Sequence, residues 1–192
     1  MDGVIAADLA AKGFHAVALR AGAYLNQIAS CNVTEVADWC RQINARLIAV
    51  DAPCRWSDTG RARSAERELM AEKHPKDHFG WMINGAALYA DLETSHVLFD
   101  NKSQRTAQPI CFETFPQAIA CALAGKIVSA KQKRRFRRYI LSYANVDTSK
   151  FTNIDQIDAA LCAFTAYQFA LGNYKCYGDA TSGCIVVPGR VL

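Results

Sequence analysis

The sequence predicts an α/β fold on a mixed sheet, with antiparallel strands first, parallel crossovers after, and helices on both faces. Three observations predict it. The opening reads as a hairpin of short apolar runs. Two continuous apolar runs, Leu47–Val50 and Ile110–Phe112, have the character of strands buried on both faces. Segments with helical periodicity lie between and after them, as crossover connections require.

In chain order, Val4-Ile5-Ala6-Ala7-Asp8 is the first strand, Gly13 to Leu19 the second, and a weaker third runs from about Tyr24 to Cys31. A helix follows, with Asn32 or Thr34 as cap, Glu35 in its first turn, and Val36, Trp39, Cys40 and Ile43 as its apolar stripe. It leads into Leu47-Ile48-Ala49-Val50-Asp51, a strand stopped by Pro53. Composition changes over about 55–108. Arg61 to Lys73 and Phe79 to Leu92 are helical in pattern, separated by His74-Pro75-Lys76-Asp77-His78, and the segment is expected to be an insertion over one end of the sheet. Then come a strand over Pro109–Glu113, a short helix over Gln117–Leu123, a basic helix over about Ala130–Tyr143 and a long apolar helix over Ile154–Leu171. Gly183–Pro188 is expected as a terminal edge strand. No internal repeat interrupts this order, so residues 1–192 are expected to form one domain.

Composition fits an ordinary globular protein, with 51% hydrophobic and 21% charged residues. No basic segment with a long apolar run opens the chain, so no secretory signal is expected. No apolar stretch is long enough to predict a membrane span. The eight cysteines form no C-x-x-C pair and sit mostly in apolar runs. That predicts reduced, buried thiols in a cytoplasmic protein rather than disulfides or a zinc site. Lys131, Lys133, Arg134, Arg135, Arg137 and Arg138 place six positive charges in eight residues; subtracting these six from the net +4 leaves −2 on the rest of the chain.

Asp8, Asp51 and Glu113 each close an apolar strand. Ligands collect at the carboxyl ends of strands in open α/β sheets. Acids converging near a core repel one another unless a cation joins them, and oxygen donors favour Mg²⁺ or Mn²⁺. Asp8 and Asp51 also suit simple turns. Glu113 does not, because glutamate is no turn former and Ile110-Cys111-Phe112 argues for burial. Asp155 and Asp158 share one face of the last long helix, together with Cys162, Thr165 and Phe169. Asp155 also suits the first turn behind an Asn153 cap, where an acid complements the helix dipole. Asp158 lies past that turn.

The helix Asp155-Gln-Ile-Asp158-Ala-Ala-Leu-Cys-Ala-Phe-Thr-Ala resembles the Asp-x-x-Asp-Ala helix of ribonuclease H-like nucleases, the Holliday-junction resolvase RuvC among them. The whole chain resembles more closely a family of predicted ribonuclease H-like nucleases, domain of unknown function 429. The matching pieces are Val4-Ile-Ala-Ala-Asp8, Ile48-Ala-Val-Asp51-Ala-Pro53, Arg61-Ala-Arg63-Ser-Ala-Glu66-Arg-Glu-Leu, Phe112-Glu113-Thr-Phe-Pro116, Asp155 to Ala166, and Gly183-Cys-Ile-Val-Val-Pro188. The resemblance implies a ribonuclease H-like five-stranded mixed sheet with a helical insertion. It also implies a site of Asp8, Asp51, Glu113 and Asp158 holding two Mg²⁺ or Mn²⁺ ions, with Asp155 as an alternate ligand, acting on a phosphodiester. The glycine often found near the first acid in this superfamily is missing from Ala-Ala-Asp8-Leu-Ala.

Substrate contacts are expected from the basic helix, through Lys131, Lys133, Arg134 and Arg135, and from Arg61 and Arg63 just after Asp51. A solvated charged face and an exposed helix are the plain alternatives. Phe136, Tyr139, Ile140 and Tyr143 fall at helical spacing and are expected in the core. His74 and His78 flank Pro75 and are expected in a surface loop. The expected function is metal-dependent cleavage of nucleic acid, DNA or RNA. The alternatives are a non-catalytic nucleic-acid-binding module and, last, a small-molecule phosphotransferase, which would need a glycine-rich phosphate loop that the sequence lacks.

Overall fold

Alternating burial along the strands sorts the core into two layers, one on each face of a single sheet. The computed structural model describes residues 4–10, 13–57, 63–69, 79–101 and 107–189, with 4–10 and 79–80 as backbone. The elements are β1 (Val4–Ala10), β2 (Gly13–Arg20), β3 (Ala23–Ser30), α1 (Val33–Gln42), β4 (Leu47–Val50), α2 (Ser64–Glu68), α3 (Phe79–Leu92), β5 (Val97–Leu98), β6 (Ile110–Glu113) and α4 (Pro116–Ala124). A 3₁₀ turn (Ala130–Gln132), α5 (Lys133–Tyr143), α6 (Ile154–Ala170), β7 (Tyr174–Asp179) and β8 (Gly183–Pro188) complete it.

The sheet order is β3-β2-β1-β4-β6-β8-β7, with β5 also paired to β6. β1, β2 and β3 form an antiparallel meander, and β4 and β6 add in parallel. These are the five strands of the expected mixed sheet; β8 and β7 prolong it. Gly183–Pro188 is not the edge. β8 pairs in parallel with β6 through Glu113 and Ile185, and β7 covers its other side antiparallel. The sequence of β7, Tyr-Lys-Cys-Tyr-Gly-Asp, does not read as a strand because a half-exposed edge strand needs no continuous apolar run. Its Gly178 has φ +97°, and a Cβ there would meet the Gly183 carbonyl oxygen at 2.5 Å.

Strand pleating directs alternate residues to opposite layers. Ile48, Val50 and Cys111 join Val36, Cys40, Leu88 and Leu92 from α1 and α3. Ala49, Ile110, Phe112 and Val186 join Ile119, Leu123, Ile140, Leu161 and Phe169 from α4, α5 and α6. Twelve of the seventeen residues of α6 are buried, as expected for a helix apolar all round. Its start is fixed by a capping box: Gln156 N donates to Asn153 Oδ1 at 2.8 Å and Asn153 N to Gln156 Oε1 at 3.4 Å. At α1 the cap is Asn32, whose Oδ1 accepts from Thr34 N at 2.9 Å. Cys40, Cys111, Cys162 and Cys184 are buried, and Cys31 is exposed.

The described parts of the 55–108 segment take part in the core and the sheet. Leu88, Tyr89 and Leu92 of α3 complete the α1 layer, and β5 joins the sheet. α2 docks on β7, where Gly178 N donates to Glu68 Oε2 at 3.0 Å and Ser64 Oγ to Asp179 Oδ2 at 2.6 Å. The expected helix over Arg61–Lys73 is described only as Ser64–Glu68; Arg61, His74 and His78 lie outside the described residues. Among the described residues no helix is long and apolar enough to cross a membrane.

Phe112 is fully buried and its ring stacks on Phe169, 4.9 Å between centroids. Phe112→Ala is expected to lower stability by about 3–5 kcal/mol in urea unfolding. A loss below about 1 kcal/mol would contradict the described packing of the sheet on α6.

Candidate functional site

Parallel register brings the strand-end acids to one region of the sheet. Ala7 pairs with Val50 and Val50 with Glu113, so the three share one level on neighbouring strands. Asp8 and Asp51 are the next residues along. Strands lie about 4.8 Å apart, so the backbones of all three acids are close. Asp8 lies inside β1, which runs on to Ala10, and faces His15 of β2 in the ladder. His15 Nε2 lies 3.9 Å from Asp155 Oδ2, in the first turn of α6. Asp51 and Asp155 are half-buried.

The two most buried acids are each held by an arginine. Glu113, 4% exposed, ends β6 and faces the loop after β4. Its Oε1 accepts from Arg63 Nη2 at 2.5 Å. Its Oε2 accepts from Arg63 Nη1 and from Cys54 N, both at 2.9 Å. Arg63 also donates from Nε to Glu66 Oε1 at 2.7 Å and from Nη1 to the Arg55 carbonyl at 3.1 Å. It is 5% exposed, so the guanidinium expected at a substrate phosphate is committed to two glutamates. Burial pushes the Glu113 carboxyl above its ordinary range, and Arg63 pulls it back. Such a bidentate pair is geometrically specific.

Asp158, 6% exposed, sits in the seam between α6 and α5 and pairs with Arg137 Nη1. Arg137 Nη2 donates to Gln117 Oε1 at 3.0 Å, and Gln117 Nε2 to the Val128 carbonyl at 2.7 Å, tying α4, α5 and α6 together. The Arg137 Nε–H is buried without a partner. Burial raises the Asp158 carboxyl, opposed first by Arg137 and then by Lys133, while Asp155 adds a small upward push. Asp155 and Asp158 therefore share one electrostatic neighbourhood with the start of the basic helix.

The donor set fits a hard divalent cation in kind, since Asp8, Asp51, Glu113, Asp155 and Asp158 offer only carboxylate oxygens. Its present arrangement is looser. Among the described residues no three His, Cys, Asp or Glu are placed to share one ion, and the side chain of Asp8 lies outside that description. Gln117 and His15 were not legible as site residues, nor were the carboxylate partners of Arg63 and Arg137. The available signal for Arg137 was its place on the stripe of Ile140 and Leu141, both buried.

The basic run lines one surface concavity with Lys131, Gln132, Lys133, Arg134, Arg135 and Arg138. Arg134 braces the following loop by donating to the Thr152 carbonyl at 2.7 Å, and Arg138 does so at the Thr148 carbonyl. Lys131, Lys133 and Arg135 are exposed. The first turn of α5 holds no acid, although cations there oppose the helix dipole. The expectation of four core residues on this helix needs correction. Ile140 is buried and Phe136 packs partly buried against the core, but Tyr139 is 62% and Tyr143 58% exposed. The inward stripe is Arg137, Ile140 and Leu141, rotated because Arg137 takes the core-facing place to reach Asp158.

A family model described as "Protein of unknown function (DUF429)" matches residues 2–182. No curated protein matches the chain. Among solved structures, the RuvC structure from Thermus thermophilus is similar at 14% identity, covering 88% of this chain and 96% of that one, with a TM-score of 0.50. T. thermophilus RuvC in complex with Holliday junction substrate is similar at 16% identity, with the same coverage and a TM-score of 0.49. Identities this low show the fold, and the α/β fold is the expected ribonuclease H-like one, distantly similar to RuvC.

Arg137→Met leaves the Asp158 carboxylate buried without its cation and is expected to cost about 3–5 kcal/mol in urea unfolding, with Asp158→Asn on top recovering most of it. If Arg137→Met costs no more than a surface change, about 0.5 kcal/mol, the pair does not neutralise Asp158.

Proposed function

We propose that this chain, which belongs to the DUF429 family, is a divalent-metal-dependent nuclease hydrolysing phosphodiester bonds of nucleic acid. The observation that supports it best is the row at the strand ends. Ala7, Val50 and Glu113 stand level, Asp8 and Asp51 follow directly, and the first turn of α6 brings Asp155 to His15, the ladder partner of Asp8. Asp8, Asp51, Glu113 and Asp158 would hold one or two Mg²⁺ or Mn²⁺ ions, with Asp155 as an alternate ligand. An ion bound by these carboxylates would supply activation of a water and charge stabilisation at the leaving oxygen.

The chain's own residues have separable tasks. Arg63 and Arg137 keep two buried carboxylates charged and aimed when no other cation neutralises them. Lys131, Lys133 and Arg135 receive the phosphate backbone, and Lys133 links that surface to Asp158. Arg134 shares the concavity and holds the loop at Thr152. Arg61 remains a proposed phosphate contact from its place in the sequence. Arg63 would contact substrate only after releasing a glutamate. The buried cysteines suit a reducing compartment such as the cytoplasm.

One observation favours a second reading, a nucleic-acid-binding module without catalysis: Glu113 and Asp158 already each carry a guanidinium. Purified wild-type protein is expected to cut DNA or RNA with Mg²⁺ or Mn²⁺, and Asp8→Ala and Asp158→Ala to fall to background. Salt-sensitive binding that survives Asp51→Ala, with no cleavage under any condition by the wild type, would select the second reading. In binding titrations, neutralising Lys131 and Arg135 is expected to reduce the salt slope by about 2, roughly one per phosphate contact. An unchanged slope would remove the basic helix from the substrate path.

A further inference from the structure

The outward face of α5 carries a feature that phosphate binding does not require. Arg135, Tyr139 and Tyr143 follow one another at single-turn spacing, and all three are exposed. The tyrosine rings lie side by side, 6.5 Å between centroids and tilted by 42°. A pair of large aromatics packed side by side in water offers a contiguous apolar surface with polar tips, the kind that suits a contact. These two stand on the same short helix as the most concentrated positive charge of the chain.

Resting on the nucleic-acid reading, we infer that Tyr139 and Tyr143 form a stacking platform for unpaired bases, with Arg135 and Lys131 holding the adjoining phosphates. The substrate class is thereby narrowed to nucleic acid with a single-stranded segment. Bases inside a duplex present no free face to a ring on a helix surface, whereas unpaired bases do. Charge decides between occupants. A second copy of the chain meeting this face through a two-fold would set Arg135, Lys131 and their neighbours against themselves. A polyanion with flat apolar bases complements both the cations and the rings. The platform adjoins the basic concavity through Arg135, so a strand stacked on the tyrosines has cations beside its phosphates.

The test is fluorescence anisotropy in EDTA, where no cleavage occurs, with labelled oligothymidine, an abasic strand of equal length, and a blunt duplex. Tyr139→Ala with Tyr143→Ala is expected to weaken oligothymidine binding at least about tenfold and abasic-strand binding less than about twofold. Tyr139→Phe with Tyr143→Phe retains wild-type affinity, because stacking uses the ring face. Lys131→Glu with Arg135→Glu weakens every ligand. Both tyrosines are exposed, so thermal melting of the alanine variant should match the wild type. If the alanine variant binds oligothymidine as tightly as the wild type, the platform is refuted and the nuclease reading stands. If the wild type binds neither strand nor duplex, both fall. A wild type that sediments as a dimer and an alanine variant that sediments as a monomer would make the stripe a self-contact and overturn the platform.

Discussion

A carboxylate buried beside a sheet stays charged only with a cation within hydrogen-bond reach. Two such acids, Glu113 and Asp158, dictate where the surrounding chain must go. Glu113 draws Arg63, and with it the start of α2, across the end of β4. Asp158 draws Arg137, which turns α5 so that a guanidinium occupies a core-facing place. Tyr139 and Tyr143 are rotated outward, while Phe136 still packs against the core. One electrostatic requirement thus fixes the seam between two helices and produces the exposed tyrosine pair.

The same requirement explains the placement of charge. The Asp158 end of α6 abuts the start of α5, where cations gather against the preference of the helix dipole. Natural sequences break a local rule of this kind where function or a buried partner demands it. Here Arg137 has a buried partner, and Arg134 and Arg138 brace the 148–152 loop. Lys131, Lys133 and Arg135 remain on the surface.

Much of the fold was legible because its strands are short apolar runs with clear stops. Leu47–Val50 before Pro53 and Ile110–Glu113 before Pro116 needed no tertiary information. β5 and β7 were not legible. One has two residues, and the other is a half-exposed edge strand interrupted by Gly178. Among the acids, burial of Glu113 and Asp158 followed from their apolar neighbours. Their partners did not, because Arg63 and Arg137 lie 50 and 21 residues away in sequence, and pairing at that range depends on strand order and helix rotation. The stripe error on α5 has the same origin: hydrophobic spacing alone admits both rotations, and the Arg137–Asp158 pair selects one.

The proposed function requires the strand-end acids to form a cation site once the arginines no longer serve alone as counter-charges. An anomalous difference map from crystals of this protein grown with Mn²⁺ tests it directly. A peak coordinated by Asp8 and Asp51 with at least one of Asp155, Asp158 and Glu113 is expected. A fully occupied lattice with no manganese peak there, and with Arg63 and Arg137 still paired as described, would contradict it.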